Sequence, residues 1–527
     1  MTAITRRQLL GRGAAATAGA ALAAVNAPAA LGARSHVAWA AGCTTPMPTP
    51  SRQWLLLSRA TYGPSAAERA NLARIGIDGW VEEQIHPSTI DDRDVDDALA
   101  SLETLTWSLA QIRAHNPQNG KQVGNEMVAA TLYRAVKSKR QLFEVMVDHW
   151  SNQFNVFMPE EFIARVKPWD DHAVFRAHAM GRVRDLAHGS ARSPAMLRYL
   201  DNARNTRSGP NENYARELME LHLLGVDGGY TEQDVKEVAR CFTGWNFVQG
   251  TWEFEFRASD HVPGPKTVLG RTIPEAGADE GRMVIDLLVD QPACATHVAR
   301  RMVQRFVADD PPAGLVAEVA GAFGRDGDIP AMLRRLLTSD TFYAYHAAPD
   351  GTPAKIRRPL EFWAAALRAL DADVEPLLED IPRDTYEGEA SVDYAGRAEE
   401  WLAHMEQLPF RWRSPNGYPD AGGWWGGAHV MIARWNYALA LAEGRLRNID
   451  PYLMSWTRSA GLPYTGAAIV DGWADRILGR PLLPEDRDGL IAAVVRGDAE
   501  PLPEAVVAER LPLLVALLLD SPYFQWR

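Results

Sequence analysis

The fold class is decided by residues 140–157, which read RQLFEVMVDHWSNQFNVF. Leu142, Met146 and Trp150 recur every four residues, and this spacing is typical of the apolar face of a helix. Further along the chain, similar patterns predict helices at 171–188, 194–203, 211–224, 232–243, 279–290 and 428–445. We therefore expect an all-α, multi-helix globular body.

One interruption of the helical pattern lies between residues 250 and 273. Trp252–Phe256 alternates apolar and acidic residues with a period of two, and Lys266–Gly270 follows a segment rich in Pro and Gly. Alternation of this kind is typical of a half-buried strand. The sequence predicts one small β-hairpin near residues 252–270.

The first 40 residues have the pattern of a twin-arginine signal peptide. Thr5–Leu10 reads TRRQLL, a mildly apolar run follows at 14–25, and Ala38 and Ala40 provide small residues for cleavage. Residues 41–51 then form a Pro/Thr linker. We expect export by the twin-arginine pathway to the periplasm or the exterior, with the body divided into regions 52–346 and 347–527.

The cysteines, the hydropathy and the net charge limit which anchors, bridges and partners we expect for this protein. Cys43 is the last residue of a degenerate lipobox and is a candidate site for a lipid anchor. Cys241 and Cys294 form either one disulfide bridge or two separate buried thiols. No later segment is apolar for long enough to predict a transmembrane span. The formal net charge of -12 argues against nucleic acid as a partner.

The helix predicted at 211–224 carries the first candidate site. Glu217 and Glu220 lie on one face, and His222 borders the apolar face. Two carboxylates at this spacing could share a proton or bind a hard metal ion. The alternative is a solvated acidic face that is paired with Arg216.

The helix that ends near Trp150 carries the second. Asp148, His149 and Asn152 lie close together there and are candidates for chemistry. The alternatives are an ion-paired helix face, a buried histidine and a helix-capping asparagine.

A loop rich in Gly, Pro and Trp at residues 409–427 carries the third. It contains Asn416 and Asp420, and Trp412, Trp424 and Trp425 lie nearby in the sequence. Aromatic side chains beside carboxylates are common in proteins that bind or cleave glycans. Tryptophan is also a large core residue, and both interpretations stay open.

Five segments, taken together, resemble a bacterial family known as domain of unknown function 1800. The longest is residues 211–231, NENYARELMELHLLGVDGGYT, followed by Phe242–Trp245. The other four are residues 57–64 (LSRATYGP), 149–156 (HWSNQFNV), 357–362 (RRPLEF) and 416–420 (NGYPD). The resemblance implies an exported, mainly helical protein, often encoded beside an exported family that looks like the alkaline phosphatase and sulfatase superfamily. It implies no catalytic residue.

Two functions follow as hypotheses. The first is a binding or assembly partner of an exported phosphatase- or sulfatase-like protein, because no recognised catalytic motif is found. The second is an extracytoplasmic hydrolase of glycans or another polymer, with a divalent metal as a candidate cofactor, since the twin-arginine route exports proteins that are already folded.

We expect any site to gather the polar residues of the specific segments. The candidate catalytic residues are Asp148, His149, Glu217, Glu220 and His222, and the candidate substrate-binding residues are Asn152, Glu212, Arg216, Arg240, Asn416 and Asp420. Because a buried charge is costly unless it is paired or bound, these groups indicate either a pocket or an internal lattice of salt bridges.

Overall fold

A computed structural model describes residues 47–115, 120–346, 355–374, 398–447 and 449–527. The predicted signal peptide at 1–40, the candidate lipid anchor Cys43 and the linker up to residue 46 lie outside the described residues.

The described residues form a predominantly helical body, and this confirms the predicted all-α class. The α-helices are α1 Arg52–Ala60, α2 Ala66–Gln84, α3 Arg93–Ala98, α4 Leu109–His115, α5 Gly120–Lys137, α6 Gln141–Gln153, α7 Glu161–Asp170, α8 Val183–Arg192, α9 Pro194–Tyr199, α10 Asn213–Glu217, α11 Glu232–Cys241, α12 Ala278–Val289, α13 Pro292–Phe306, α14 Ala313–Gly321, α15 Ile329–Leu337, α16 Asp340–Ala344, α17 Pro359–Leu370, α18 Ala398–His404, α19 Gly422–Trp425, α20 Ala428–Ala442, α21 Leu453–Ser459, α22 Gly466–Leu478, α23 Pro484–Val495, α24 Glu504–Asp520 and α25 Pro522–Gln525. Two π-helices, Asp171–Arg176 and Leu218–Leu223, extend α7 and α10. Short 3₁₀ turns lie at Pro87–Thr89, Glu103–Thr106, Asn202–Arg204 and Ala258–Asp260.

The helix patterns have direct physical causes. In α6, Leu142, Met146 and Trp150 are buried as their spacing predicts. At the start of α11, the Thr231 hydroxyl accepts a hydrogen bond from the Asp234 backbone N–H, and the Asp234 carboxylate accepts one from the Thr231 N–H. This capping box satisfies backbone donors that the first helical turn leaves unpaired.

The strands form small antiparallel pairs. Region 245–273 contains two hairpins instead of the single predicted one: β1 (Trp245–Phe247) pairs with β2 (Phe254–Phe256), and β3 (Lys266–Val268) pairs with β4 (Arg271–Ile273). Leu269 and Gly270 both have positive φ, of 49° and 72°. A two-residue turn with both φ positive closes a tight hairpin. The strand at Lys266 therefore pairs forward in the chain instead of back to Phe254. The last pair is β5 (Asp373–Val374) with β6 (Ile449–Asp450).

One large apolar core runs through the described residues, from Leu55 in α1 to Phe524 in α25. It takes side chains from both predicted regions, 52–346 and 347–527, and the division between these regions stays a prediction. Cys241 and Cys294 are buried free thiols, so the bridge that the sequence left open is not formed. Among the helices of the described ranges, we find none with the length and apolar character that crossing a bilayer requires.

Candidate functional site

A set of acids and arginines, all of them buried except the partly exposed Asp148, lies where α6, α13, α17 and the end of α25 meet. We call it the charge lattice, and its members are Asp148, Arg305, Arg358, Glu361, Asp420 and Arg527. Arg358, which directly precedes α17, occupies the middle. Its Nη2 donates to Asp148 Oδ2 at 2.6 Å, its Nε donates to Glu361 Oε1 at 3.1 Å, and the same Nε lies 3.6 Å from Asp420 Oδ1.

Glu361 is the acid that joins three arginines. Its Oε1 lies 2.7 Å from Arg305 Nη1, 3.1 Å from Arg358 Nε and 3.1 Å from Arg527 Nη2. Glu361 and its three partners have side chains that are at most 2% exposed. A carboxylate that is removed from water to this degree is stable only when cations and hydrogen bonds compensate for its lost hydration.

The protonation of these acids follows from their neighbours. Burial alone would raise the pKa of Asp420, but Arg358 and Lys355, with Arg305 and Arg301, hold that pKa well below its usual range. Burial would likewise raise the pKa of Glu361, and its three arginine partners hold it low. Both acids are therefore ionised at neutral pH, and they act as acceptors for cations and not as proton donors.

A second ion pair continues the charge lattice toward the surface. Lys355 Nζ lies 2.9 Å from Asp309 Oδ1 and also donates to the backbone carbonyl of Asp420. The other oxygen of Asp309 accepts a hydrogen bond from the Gly422 N–H. Asp309 and Lys355, which border the charge lattice, thus hold the chain around residues 420–422.

Asparagines of α6 and the segment after it hold the loop at 409–427, which we call the tryptophan loop. Asn152 pairs with both backbone polar groups of Tyr418: Nδ2 donates to the carbonyl at 2.9 Å, and Oδ1 accepts from the N–H at 2.7 Å. Asn155 Nδ2 donates to the carbonyls of Trp412 and Ser414 at 3.0 and 2.7 Å. These side chains replace a regular backbone ladder and fix the loop against α6.

Gly417 makes this close approach feasible. Its φ is +70°, and a Cβ atom placed on it would lie 2.2 Å from the backbone oxygen of Asn152. A side chain at this position would push the loop away from α6. Beside it, Asn416 Oδ1 accepts a hydrogen bond from Trp412 Nε1 at 3.0 Å.

His149 lies next to the charge lattice but takes no part in its ion pairs. It is buried against Trp150, with the ring centroids 4.8 Å apart, and within the described residues its Nε2 has no hydrogen-bond partner. Burial, with a smaller contribution from Arg301, lowers the pKa of His149 to about 3. The imidazole is therefore neutral in the folded protein.

The segment 211–224, which we call the signature helix, consists of α10 and the π-helix Leu218–Leu223. Its acids lie near the surface. Arg216 Nη2 lies 2.7 Å from Glu232 and 3.3 Å from Glu212. Burial, together with the nearby Glu220, raises the pKa of the half-buried Glu217.

His222 lies on the buried side of the signature helix. Its ring packs 4.9 Å from the Phe154 ring, and both ring nitrogens are without a hydrogen-bond partner among the described residues. Burial lowers the pKa of His222 to about 3, and His297 adds to this effect. The π-helix leaves carbonyls that a side chain can reach, and Gln153 Nε2 donates to those of Leu221 and His222.

The structure therefore separates the predicted site residues into groups. Asp148, His149, Asn152, Asn416 and Asp420 lie at the charge lattice or the tryptophan loop. Glu212, Arg216, Glu217, Glu220 and His222 lie on the signature helix, which is joined to the first group through Gln153, whose Oε1 accepts from Arg301 Nε at 2.9 Å. Arg240 is bound to Glu237, three residues before it on α11.

Several residues of the charge lattice were not among the sequence candidates. Arg358 and Glu361 lie in the segment 357–362, three residues apart at the start of a helix that Pro359 opens, so a local signal for their pairing existed. Arg305 and Arg527 carry no such signal, because their partners are remote in sequence. In the described ranges, no three His, Cys, Asp or Glu residues are placed so that they could hold a metal ion.

Comparison with known proteins agrees with the resemblance. The family model described as "Protein of unknown function (DUF1800)" matches residues 55–526. Among curated proteins and among solved structures, the search finds no match. Three of the five segments that carry the resemblance, 149–156, 357–362 and 416–420, contribute to the charge lattice or the tryptophan loop. Segment 57–64 meets the lattice through the Arg59 carbonyl, which accepts a hydrogen bond from Arg527, and the fifth segment is the signature helix. In this chain, most of the segments that carry the resemblance therefore belong to the charge lattice or to the contacts that hold the tryptophan loop.

Proposed function

Since the chain belongs to the DUF1800 family of proteins of unknown function, we propose that it is an exported, non-catalytic binding or assembly partner of a protein of the alkaline phosphatase and sulfatase superfamily. One argument from the sequence and one that the family resemblance implies support this proposal. The twin-arginine pattern at residues 5–10 favours export, and members of the family are often encoded beside such a phosphatase-like protein.

The use of the charged residues also supports a binding role. Glu361 and Asp420 of the charge lattice are ionised and surrounded by arginines or lysines, so they hold the fold together instead of offering a free base. The framework that results positions the tryptophan loop, through Asn152, Asn155 and the Gly422 N–H.

The observation that carries the proposal is the exposure of Trp424. The residue is 60% exposed, although it belongs to a loop that is fixed at several points, and its ring meets Trp412 edge-on with the ring centroids 5.9 Å apart. Exposed tryptophans on a rigid support are typical of residues that dominate protein interfaces, because little conformational entropy is lost on binding. We assign Trp424 as the centre of the partner surface.

The experiment is a pull-down of the tagged full chain from the envelope of its own cell, with mass spectrometry of the bound proteins. We expect a protein of the phosphatase and sulfatase superfamily, and at least tenfold less of it with Trp424→Ala. Tyr452→Ala is the matched control, because Tyr452 is also an exposed aromatic residue. Asn152→Ala should also reduce capture, since it frees the loop.

Three results would overturn the proposal. They are capture of no such protein by the unaltered chain, equal capture by Trp424→Ala, and turnover of a glycan by the isolated protein, which would favour the hydrolase.

Export is measured in the same cells: with Arg6→Lys and Arg7→Lys together we expect the protein to stay in the cytoplasm, and unchanged export would contradict that part of the proposal.

A further inference from the structure

A cleft of about 520 Å³ opens beside α4 and α7, and none of its lining residues belongs to the charge lattice or the tryptophan loop. Two half-buried indoles, Trp107 and Trp169, line it together with Ser108, Gln111, His172 and Arg176. This volume is within the range of about 300–1,000 Å³ that is usual for small-molecule sites. We call it the Trp107–Trp169 cleft.

The local backbone explains why these side chains meet. Pro168 lies inside α7, where a proline cannot donate a backbone hydrogen bond, and the chain continues as the π-helix Asp171–Arg176. A π-helix has a wider turn than an α-helix and is frequent at functional sites. Here it brings His172 and Arg176 to the cleft beside Trp169.

The helix α7, which carries Trp169, is bound to α6 through a buried lysine. Lys167 is fully buried, and its Nζ donates to Asp170 Oδ2 at 2.9 Å and to Ser151 Oγ at 3.1 Å. On the opposite wall, the ring of His115 lies 5.0 Å from that of Trp107. The helix that carries Trp169 is thus anchored by buried contacts, and the Trp107 ring packs against a neighbouring ring, which favours a site that is formed before its ligand arrives.

The charge of the lining residues indicates which kind of ligand the cleft can bind. Arg176 is its one cationic lining residue, and both of its terminal nitrogens already bind the two oxygens of Glu144, at 2.9 and 2.6 Å. The guanidinium is thus neutralised by a buried carboxylate and cannot pair again with an anion at full strength. The other polar groups are hydroxyl, amide and imidazole.

From these observations we propose that the Trp107–Trp169 cleft binds an uncharged carbohydrate. The flat apolar faces of the two indoles suit the C–H faces of a pyranose ring. The His172 ring and the amide NH₂ of Gln111, whose Oε1 already accepts from Ser108, can hydrogen-bond its hydroxyls. The proposal adds a ligand site to the partner function and does not depend on it, because the partner surface is centred on Trp424.

The test is isothermal titration of the full exported chain with three neutral probes: cellohexaose, maltohexaose and N-acetylchitohexaose. We expect saturable binding of at least one probe, weakened at least tenfold by Trp169→Ala and by Trp107→Ala. Tyr452→Ala is the control and should bind as the unaltered chain does, because Tyr452 is an exposed aromatic residue outside the cleft lining. Trp169→Phe should retain part of the affinity, and circular dichroism checks that each variant is folded.

Other outcomes would overturn the inference. Absence of binding by all three probes would do so, and so would equal binding by the two alanine variants. Tighter binding of an anionic oligogalacturonate than of any neutral probe would contradict the argument from Arg176 and Glu144. If no probe binds but the phosphatase-like partner is captured normally, this inference fails and the partner function stands. If a probe binds but no such partner is captured, the inference stands and the partner function fails.

Discussion

The charge lattice and the signature helix both combine acids with arginines, but they do so in different surroundings. Arg358 and Glu361 are each 2% exposed, whereas Arg216 and Glu232 are 34% and 69% exposed. Water already solvates the surface pair, so its members gain little from each other. The buried members have no such alternative, and the loss of one leaves its partners as uncompensated charges. Burial, more than residue type, decides which charges hold this protein together.

The largest effect is expected for Glu361→Gln. This change removes the acid that joins Arg305, Arg358 and Arg527, so three buried guanidinium groups lose their shared partner. We expect the free energy of unfolding to fall by about 3–5 kcal/mol, measured by urea denaturation. Glu212→Gln, which alters a surface acid near Arg216, is the matched control. If both changes lowered the free energy of unfolding equally, burial would not be what distinguishes the charge lattice from the signature helix.

The same distinction explains what could be predicted from the sequence. The period of Leu142, Met146 and Trp150 predicted a helix correctly, because a helix face is a local property. Asp148 and Asp420 were identified as candidates, but their common partner Arg358 was not, since Asp148 and Arg358 are 210 residues apart in the chain. The signature helix was predicted to be part of the same site because sequence spacing does not reveal which face is buried. The two-residue turn at Leu269–Gly270 was missed because Leu at positive φ is uncommon.

A second prediction concerns pH and uses the buried side of the signature helix. The pKa of His222 is lowered to about 3, so between about pH 6.5 and 3 the unfolded chain binds a proton that the folded protein does not. Stability is therefore lost as pH falls through this window, with a slope of about 1.4 kcal/mol per pH unit from this residue.

His222→Leu should remove that contribution. The leucine can pack against Phe154, and no hydrogen bond of the imidazole to a described residue is lost. Urea denaturation at pH 6.5, 5.5 and 4.5 should show a flatter dependence than in the unaltered protein. An unchanged slope would mean that His222 titrates in the folded state, and His222 would then belong with the exposed groups of its helix.

The smallest effect is expected for Arg216→Gln. Its partners Glu212 and Glu232 remain solvated when the guanidinium is removed, so the midpoint of urea denaturation should stay within experimental scatter. The shift should shrink further as salt is added, because salt screens exposed charges. A shift as large as that of Glu361→Gln would show that the signature helix is held by its surface charges after all.

The contacts of Arg527 have a consequence for the time course of folding. Its guanidinium donates to the carbonyl of Arg59, which lies 468 residues earlier in the chain. Closing a loop of that length at random costs on the order of 5 kcal/mol of chain entropy. Contacts at shorter separation must form first and bring the two segments together, and the link between residues 59 and 527 then forms late. Refolding should accordingly show a slow final phase, in which the buried arginines lose their water after most of the helices are already in place.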